Sequence, residues 1–426
     1  MTAIKSIQCT LVGRKYKPGI LFDVVIAVPE ANVDEYALLI EHDGQNDANV
    51  NSLLALADEG KAPYCVSVGV FPGKIKMPDG TLRKMRMNSY DLFDREYGDF
   101  IVYELIPYIS KEYSIRFSSS PDMHFVCGCS SGGISAFCIA WFHPEYFHRV
   151  YMSSPSFLAM GRGNEIPYLI RKYETKPLRI YEESSEDEPN YFFGWSRAID
   201  EEAREALIYA GYDFQFKYFP GEDHCSRNAD ENEAYIRNEW LWKDWETKKV
   251  TAPRNSPQVS QVVPHASKWE RCATFPEPEQ EAEAPAVLAE NFENVVLSND
   301  GLAWYAGNPD DDIVLMFVNA ENLSVEKGLL HATLHTIPRI GPKGAIDLAV
   351  DKVDRLFVLT SIGIQCVRSF GLIDVILDLP DQSKPIAMTI ADALYVKTEM
   401  GVYKRPLCEI CTKKTDRLRM FDFYYD

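Results

Sequence analysis

The chain has 426 residues, 46% of them hydrophobic and 25% charged, an ordinary globular composition with enough length for two cores. A net charge of -19 repels nucleic acid and anionic membrane, so neither is expected as a partner. The N-terminal stretch lacks a secretory apolar core, no apolar run nears the roughly 18 residues of a membrane span, and ten cysteines follow no framework spacing, so reduced thiols in a cytoplasm are expected.

Residues 1–248 read as alternating strands and helices. FDVVIAVP, YALLIEHDG, YCVSVGVFPG, MHFVCGC, RVYMSS, LRIYEE and FQFKYFPG are apolar runs that end in turn residues. Helical patterns such as YGDFIVYELIPYISKEY and SRAIDEEAREALIYAG lie between several of them. This alternation predicts an α/β domain with a mostly parallel sheet covered on both faces, and an antiparallel edge where the first two strands follow each other directly. Residues 249–287 are rich in Pro, Ser, Gln and Glu and read as a linker or extended connection.

Residues 288–426 are strand-rich. DRLFVLTSIGIQCV from Asp354 and DALYVKTEMGVYKR from Asp392 repeat at an offset of 38, with a looser echo, DGLAWYAG, from Asp300. Strands recurring at that period predict about three blades of a partial β-propeller. Cys408 and Cys411 have no second pair to complete a zinc site and read as ordinary thiols.

The chemistry concentrates in FVCGCSSGGISAF. In Gly128-Cys129-Ser130-Ser131-Gly132 the spacing G-x-S-x-G holds for Ser130 alone, after a predicted strand and before a predicted helix. Such a nucleophile elbow needs glycine two residues either side of the serine, because side chains there collide with neighbouring backbone. The helix N-terminus offers free N–H groups to a developing oxyanion.

The fold that carries such an elbow places an acid and then a histidine after the serine. His42 and His124 precede Ser130, while His143 and His148 fall on or just beyond the following helix. His224, in a glycine loop after a strand, is the base by elimination. The acid belongs to the run Glu186-Asp187-Glu188, where Pro189 fixes the backbone and favours Glu188 over Asp187. For the oxyanion hole the backbone N–H of Ser131 and the Asp43-Gly44 turn are the candidates; as a turn alone, Asp43-Gly44 has no chemistry to do.

Taken in order, HDGQN, RMNSYD, YELIPYI, GCSSGGISAF, EDEPN and GEDH resemble the putative-esterase family that includes enterochelin and feruloyl esterases. The resemblance spans roughly residues 15–248. It implies an α/β-hydrolase fold with Ser130 as nucleophile, Glu188 as acid and His224 as base, and no metal or organic cofactor. Two departures, Ser89 before Tyr90-Asp91 and Cys225 after His224, touch substrate preference more than the triad. The C-terminal repeats resemble part of a gluconolactonase-like six-bladed propeller. Ile346 stands where that family has a metal-binding aspartate and Asp347 is one place off, on the opposite face of a strand, so lactonase activity is not expected.

These readings lead to a serine carboxylic-ester hydrolase acting on a small-molecule ester. Half a propeller leaves open edges, so a homodimer through that half is also expected. An acyltransferase with the same triad, or a non-catalytic scaffold acting through the propeller half, are the alternatives.

Overall fold

The computed structural model describes residues 2–158, 161–277 and 282–412. The chain divides into two compact units, Met1–Leu169 with Thr175–Pro253, and Ile170–Glu174 with Arg254–Asp426.

The first unit contains β1 (Ile4–Val12), β2 (Leu21–Pro29), β3 (Ala37–His42), β4 (Cys65–Val70), β5 (Lys74–Lys76), β6 (Leu82–Lys84), β7 (His124–Cys129), β8 (Arg149–Ser153), β9 (Arg179–Asp187), β10 (Asn190–Tyr191), β11 (Gly194–Trp195) and β12 (Asp213–Asp223). All but the hairpin β10–β11 form a ten-stranded sheet in the order β12-β9-β8-β7-β3-β4-β2-β5-β6, with β1 also on β2. Pairing is parallel from β12 through β4, as the apolar runs predict, and antiparallel beyond it, where β2 pairs with β1 and β4 and not with the β3 that follows it in sequence. β3 and β4 are buried at every position, which a two-faced cover requires. The sequence reading missed β1, β5 and β6, which lie on the solvated, antiparallel side and lack a continuous apolar run.

Leu39, Phe125, Tyr151 and Tyr181 share one core with Leu53 and Leu56 of the helix Asp47–Asp58 and with Leu241 and Trp242 of the helix Glu231–Trp242. The pattern expected as one helix from Tyr97 to Tyr113 is α-helical over Glu96–Phe100 and Ile106–Glu112, with a π-helical turn at Ile101–Leu105 between them. Pro107, which has no N–H to give, follows that turn. No helix among the described residues is long and apolar enough to cross a membrane.

The second unit holds three four-stranded antiparallel sheets. Its strands are β13 (Glu270–Cys272), β14 (Asn294–Leu297), β15 (Ala303–Gly307), β16 (Ile313–Val318), β17 (Leu329–Thr333), β18 (Asp347–Val350), β19 (Leu356–Thr360), β20 (Gly363–Val367), β21 (Ile373–Leu377), β22 (Pro385–Ile390), β23 (Leu394–Thr398) and β24 (Gly401–Arg405). The sheets run β14-β15-β16-β17, β18-β19-β20-β21 and β13-β24-β23-β22. The repeated segments beginning at Asp300, Asp354 and Asp392 supply β15, β19 and β23, the second strand of β14-, β18- and β22-led sheets. The third sheet takes its outer strand β13 from residues that precede the first.

The stretch expected as a bare connection therefore contributes structure. Besides β13, its Val259, Val262 and Val263 are buried in a core with Phe357, Leu377 and Val396. Three valines within five residues are enough apolar surface to dock a Pro- and Ser-rich segment. Cys411 is buried and accepts from Arg355 Nη2 at 2.7 Å, and both Cys408 and Cys411 are free thiols. Asp347 is half-buried, its carboxylate accepting from the Leu348 and Met388 N–H groups at 2.8 and 2.7 Å.

Near the carboxyl edge of the first sheet, Arg237 is fully buried. It donates to Asn49 Oδ1 at 2.7 Å, reaches Glu183 Oε1 at 3.4 Å and lies 3.9 Å from the centre of the Tyr151 ring. Removing one partner of such a buried pair leaves the other charge uncompensated, so Arg237→Met should cost about 3–5 kcal/mol of stability. Adding Glu183→Gln should recover part of that loss in urea unfolding, and equal losses in the single and double variants would contradict the pairing.

Candidate active site

β7 ends at Cys129, and the helix Ser131–Phe142 begins two residues later. Ser130 makes the turn alone at φ 59° and ψ -125°, a left-handed backbone conformation that a non-glycine residue adopts only when its surroundings impose it. Those surroundings are tight. A side chain at position 128 would start 2.4 Å from the carbonyl of Gly132, and one at 132 would start 2.9 Å from His42 Cβ. The two glycines therefore let strand and helix close on each other. The Ser130 N–H donates to the Ser153 carbonyl at 2.8 Å, and the Ser130 carbonyl accepts from Gly133 N–H at 2.9 Å.

His224 opens the turn that follows β12, and Glu188 lies just beyond β9. Their side chains meet, with His224 Nδ1 at 2.5 Å from Glu188 Oε2. Glu188 is buried, whereas Glu186 and Asp187 are exposed. Burial pushes the Glu188 carboxyl up, but hydrogen bonds from His224, Ser154 and the Ser185 N–H outweigh it and hold the group below its ordinary range. An ionised carboxylate only accepts, so Nδ1 carries the proton and Nε2 is left with a lone pair. Of the run 186–188, Glu188 is the member beside the histidine; Glu186 instead accepts from the Gly221 N–H at 2.6 Å.

Ser130 and His224 share no hydrogen bond among the described residues. Ser130 Oγ is 2.8 Å from Ser156 Oγ. Ser156 was not foreseen; no spacing rule links it to the elbow, and it arrives in the loop after β8, the strand paired with β7.

A disulfide joins Cys129 to Cys225, with their Cα atoms 6.3 Å apart and 96 residues between them in sequence. This corrects the expectation of uniformly reduced thiols; the other eight cysteines are free. The two bonded residues immediately precede Ser130 and follow His224.

The oxyanion candidates divide. The Ser131 N–H opens the helix and by position has no intrahelical acceptor. Gly44 is turned the other way: its N–H donates to the Val70 carbonyl at 3.2 Å, and the Asp43 N–H donates to Tyr90 Oη at 3.1 Å. Neither amide is available for an oxyanion in this conformation. The Asp43 carboxylate instead grips Arg86 in a two-pronged ion pair, both contacts at 2.8 Å. Asn46, further along the same loop, caps the helix Asp47–Asp58 by accepting from the Ala48 N–H at 3.0 Å.

The other histidines of the first unit have structural partners. His42 is buried under the elbow, its Nδ1 2.9 Å from the Cys127 carbonyl, and burial pulls its pKa down to about 4, so it is neutral. His143 is fully buried against Asp99 and Glu145, and His148 pairs with Asp122 at 2.9 Å. Arg162 is paired with Glu165. A cavity of about 420 Å³ beside the elbow is lined by Asp43, Gly44, Gln45, Cys129, Asn228 and Glu231 among others. The YFFGW segment forms the β10–β11 hairpin, with Tyr191, Phe192, Phe193 and Trp195 all exposed and Phe192 completely so. Gly194 packs on Leu158, two residues after Ser156. No group of His, Cys, Asp and Glu among the described residues is arranged to hold a metal ion.

Glu188→Gln should lower kcat roughly 10³- to 10⁴-fold by removing the charge that orients the imidazole. The Glu188 pKa is lowered on folding, so its pairing stabilises the protein fully above the unfolded glutamate value of about 4.3 and is lost as pH falls through the lower folded value. The stability gap between wild type and Glu188→Gln, read by urea unfolding, should accordingly be largest at neutral pH and shrink below about pH 4. A gap that widens on acidification would contradict the assignment.

A comparison with curated proteins finds no match. Solved structures resemble the first unit. A ferulic acid esterase is 16% identical at a TM-score of 0.44, covering 57% of this chain and 98% of its own. The enterobactin esterase from Shigella flexneri, crystallised in the presence of enterobactin, is 19% identical at a TM-score of 0.44, covering 56% of this chain and 60% of its own. The siderophore hydrolase from Aspergillus nidulans is 16% identical at a TM-score of 0.42, covering 58% and 98%. The family model described as Putative esterase matches residues 23–249, and the chain belongs to that family.

Proposed function

We propose that the first unit is a serine carboxylic-ester hydrolase working through an acyl-enzyme. The observation that carries this reading is a preformed Glu188–His224 pair at 2.5 Å, on a loop bonded through Cys225 to Cys129 beside the Ser130 elbow. His224 Nε2 takes the Ser130 proton as the hydroxyl oxygen attacks the ester carbonyl, and Glu188 stabilises the imidazolium that results. The Ser131 N–H and the helix N-terminus receive the oxyanion. The alcohol leaves with the proton from His224, and a water activated by the same imidazole then frees the acid. The exposed rings of the β10–β11 hairpin suit an aromatic acyl or alcohol group, in keeping with a siderophore- or feruloyl-esterase-like substrate.

The test is reaction with a fluorophosphonate probe and a panel of aryl esters, alongside Ser130→Ala. Wild type should be labelled once per chain and turn esters over, and Ser130→Ala should lose the label and roughly five to six orders of magnitude in kcat. Labelling with product formed only when an alcohol acceptor is supplied would make the enzyme an acyltransferase. No labelling and no turnover would leave a scaffold protein.

The second unit reads as half of a gluconolactonase-like propeller, three blades that pair with those of another chain in a homodimer. Leu302, Val318, Leu329 and Leu330 leave its first sheet with exposed apolar surface that such pairing would cover. Light scattering at micromolar concentration should give the mass of two chains, and a monomer would end the dimer reading.

A further inference from the structure

The loop that carries His224 is polar and nowhere fully buried from Gly221 to Asp230. Such a segment has little apolar surface to fix it, so its position rests on a few specific links. Four residues beyond His224, the Asn228 carbonyl accepts from Asn46 Nδ2 at 2.9 Å. Beside His224, the Cys225 N–H donates to Ser154 Oγ at 3.2 Å, and Cys225 is bonded to Cys129. That bond is the one covalent cross-link among the described residues. It joins the residue before the nucleophile to the residue after the base, while Ser130 Oγ itself is turned to Ser156. Among the described residues no Ser130–His224 hydrogen bond fixes the two side chains relative to each other.

We infer that the Cys129–Cys225 disulfide is a positioning element of the esterase site, keeping the His224 loop in register with the elbow, and that the enzyme is active in its oxidised form. The inference rests on the reading of Ser130 and His224 as nucleophile and base. Both cysteines are partly exposed, so a dithiol reductant can reach the bond. A reductant thiolate attacks one sulfur and displaces the other as a thiolate, forming a mixed disulfide; the second reductant thiol resolves it. Two electrons pass to the protein, Cys129 and Cys225 end as thiols once protonated, and the reductant ends as its own disulfide. The Glu188–His224 pair survives this step, but its register with Ser130 is no longer covalently held. A displacement of about 1 Å between reacting groups can cost about a hundred-fold in rate.

The experiment measures kcat and KM on an aryl ester for oxidised, dithiothreitol-reduced and reoxidised protein, and for Cys129→Ser/Cys225→Ser. Circular dichroism establishes that each is folded at the assay temperature, and peptide mass mapping reads the cross-link. Reduction should lower kcat roughly ten- to a hundred-fold with KM changed by less than about two-fold. Reoxidation should restore kcat, and the double variant should match reduced wild type and ignore the reductant. A folded, reduced protein with undiminished kcat overturns the inference, as does an active protein whose Cys129 and Cys225 are both free thiols. An oxidised protein inert to esters and to the fluorophosphonate overturns the esterase reading itself, and with it the role of the bond.

Discussion

The first unit depends on a backbone contact with no side chain in it. Gly128 and Gly132 approach so closely that a methyl group on the first would overlap the carbonyl of the second. This closeness lets β7 become a helix across one residue, and that residue, Ser130, pays in a left-handed φ of 59°. A looser turn would carry the serine away from the carboxyl edge of the sheet. The hydroxyl, the free N–H groups of the helix and the loops after β8, β9 and β12 would then no longer face one another.

Around that turn the chain uses different kinds of restraint for different tasks. Glu188 and the His224 imidazole are held by a short hydrogen bond with the carboxylate buried and the ring partly exposed, so the ring stays accessible while its partner is dry. The far end of the histidine loop is tied through Asn228 to a buried network in which Tyr151 Oη lies 2.7 Å from Glu183 and Arg237 bridges to Asn49. Neutral His42 fills the space beneath the elbow. A strand and a helix carry Ser130, and a covalently stapled loop carries His224.

How much of this was legible in the amino-acid sequence follows from how local each signal is. The elbow was readable because glycine at 128 and 132 is a steric demand written within five residues. Glu188 and His224 were readable from chain order and from Pro189, which sets the backbone next to the acid. The second unit's sheets were readable where a strand repeats, and β15, β19 and β23 carry the recurring segments. Interactions set by distant partners were not. Gly44 looked like an oxyanion donor until the parallel pairing of β3 with β4 brought the Val70 carbonyl to its N–H. The Cys129–Cys225 bond spans 96 residues, and no spacing pattern announces it. Val259, Val262 and Val263 sit in a segment whose Pro and Ser content points to a linker, and only the core they enter explains them.

In the proposed esterase mechanism the Ser130 hydroxyl and the His224 imidazole act on one substrate carbon at the mouth of this turn. The most direct test is a crystal structure after reaction with an aryl phosphonate that mimics the tetrahedral intermediate. Continuous density is expected from Ser130 Oγ to phosphorus, with a phosphoryl oxygen within hydrogen-bond reach of the Ser131 N–H and His224 Nε2 facing the bridging oxygen. An adduct on any other residue, or a Ser130 adduct with His224 still out of reach, would contradict it.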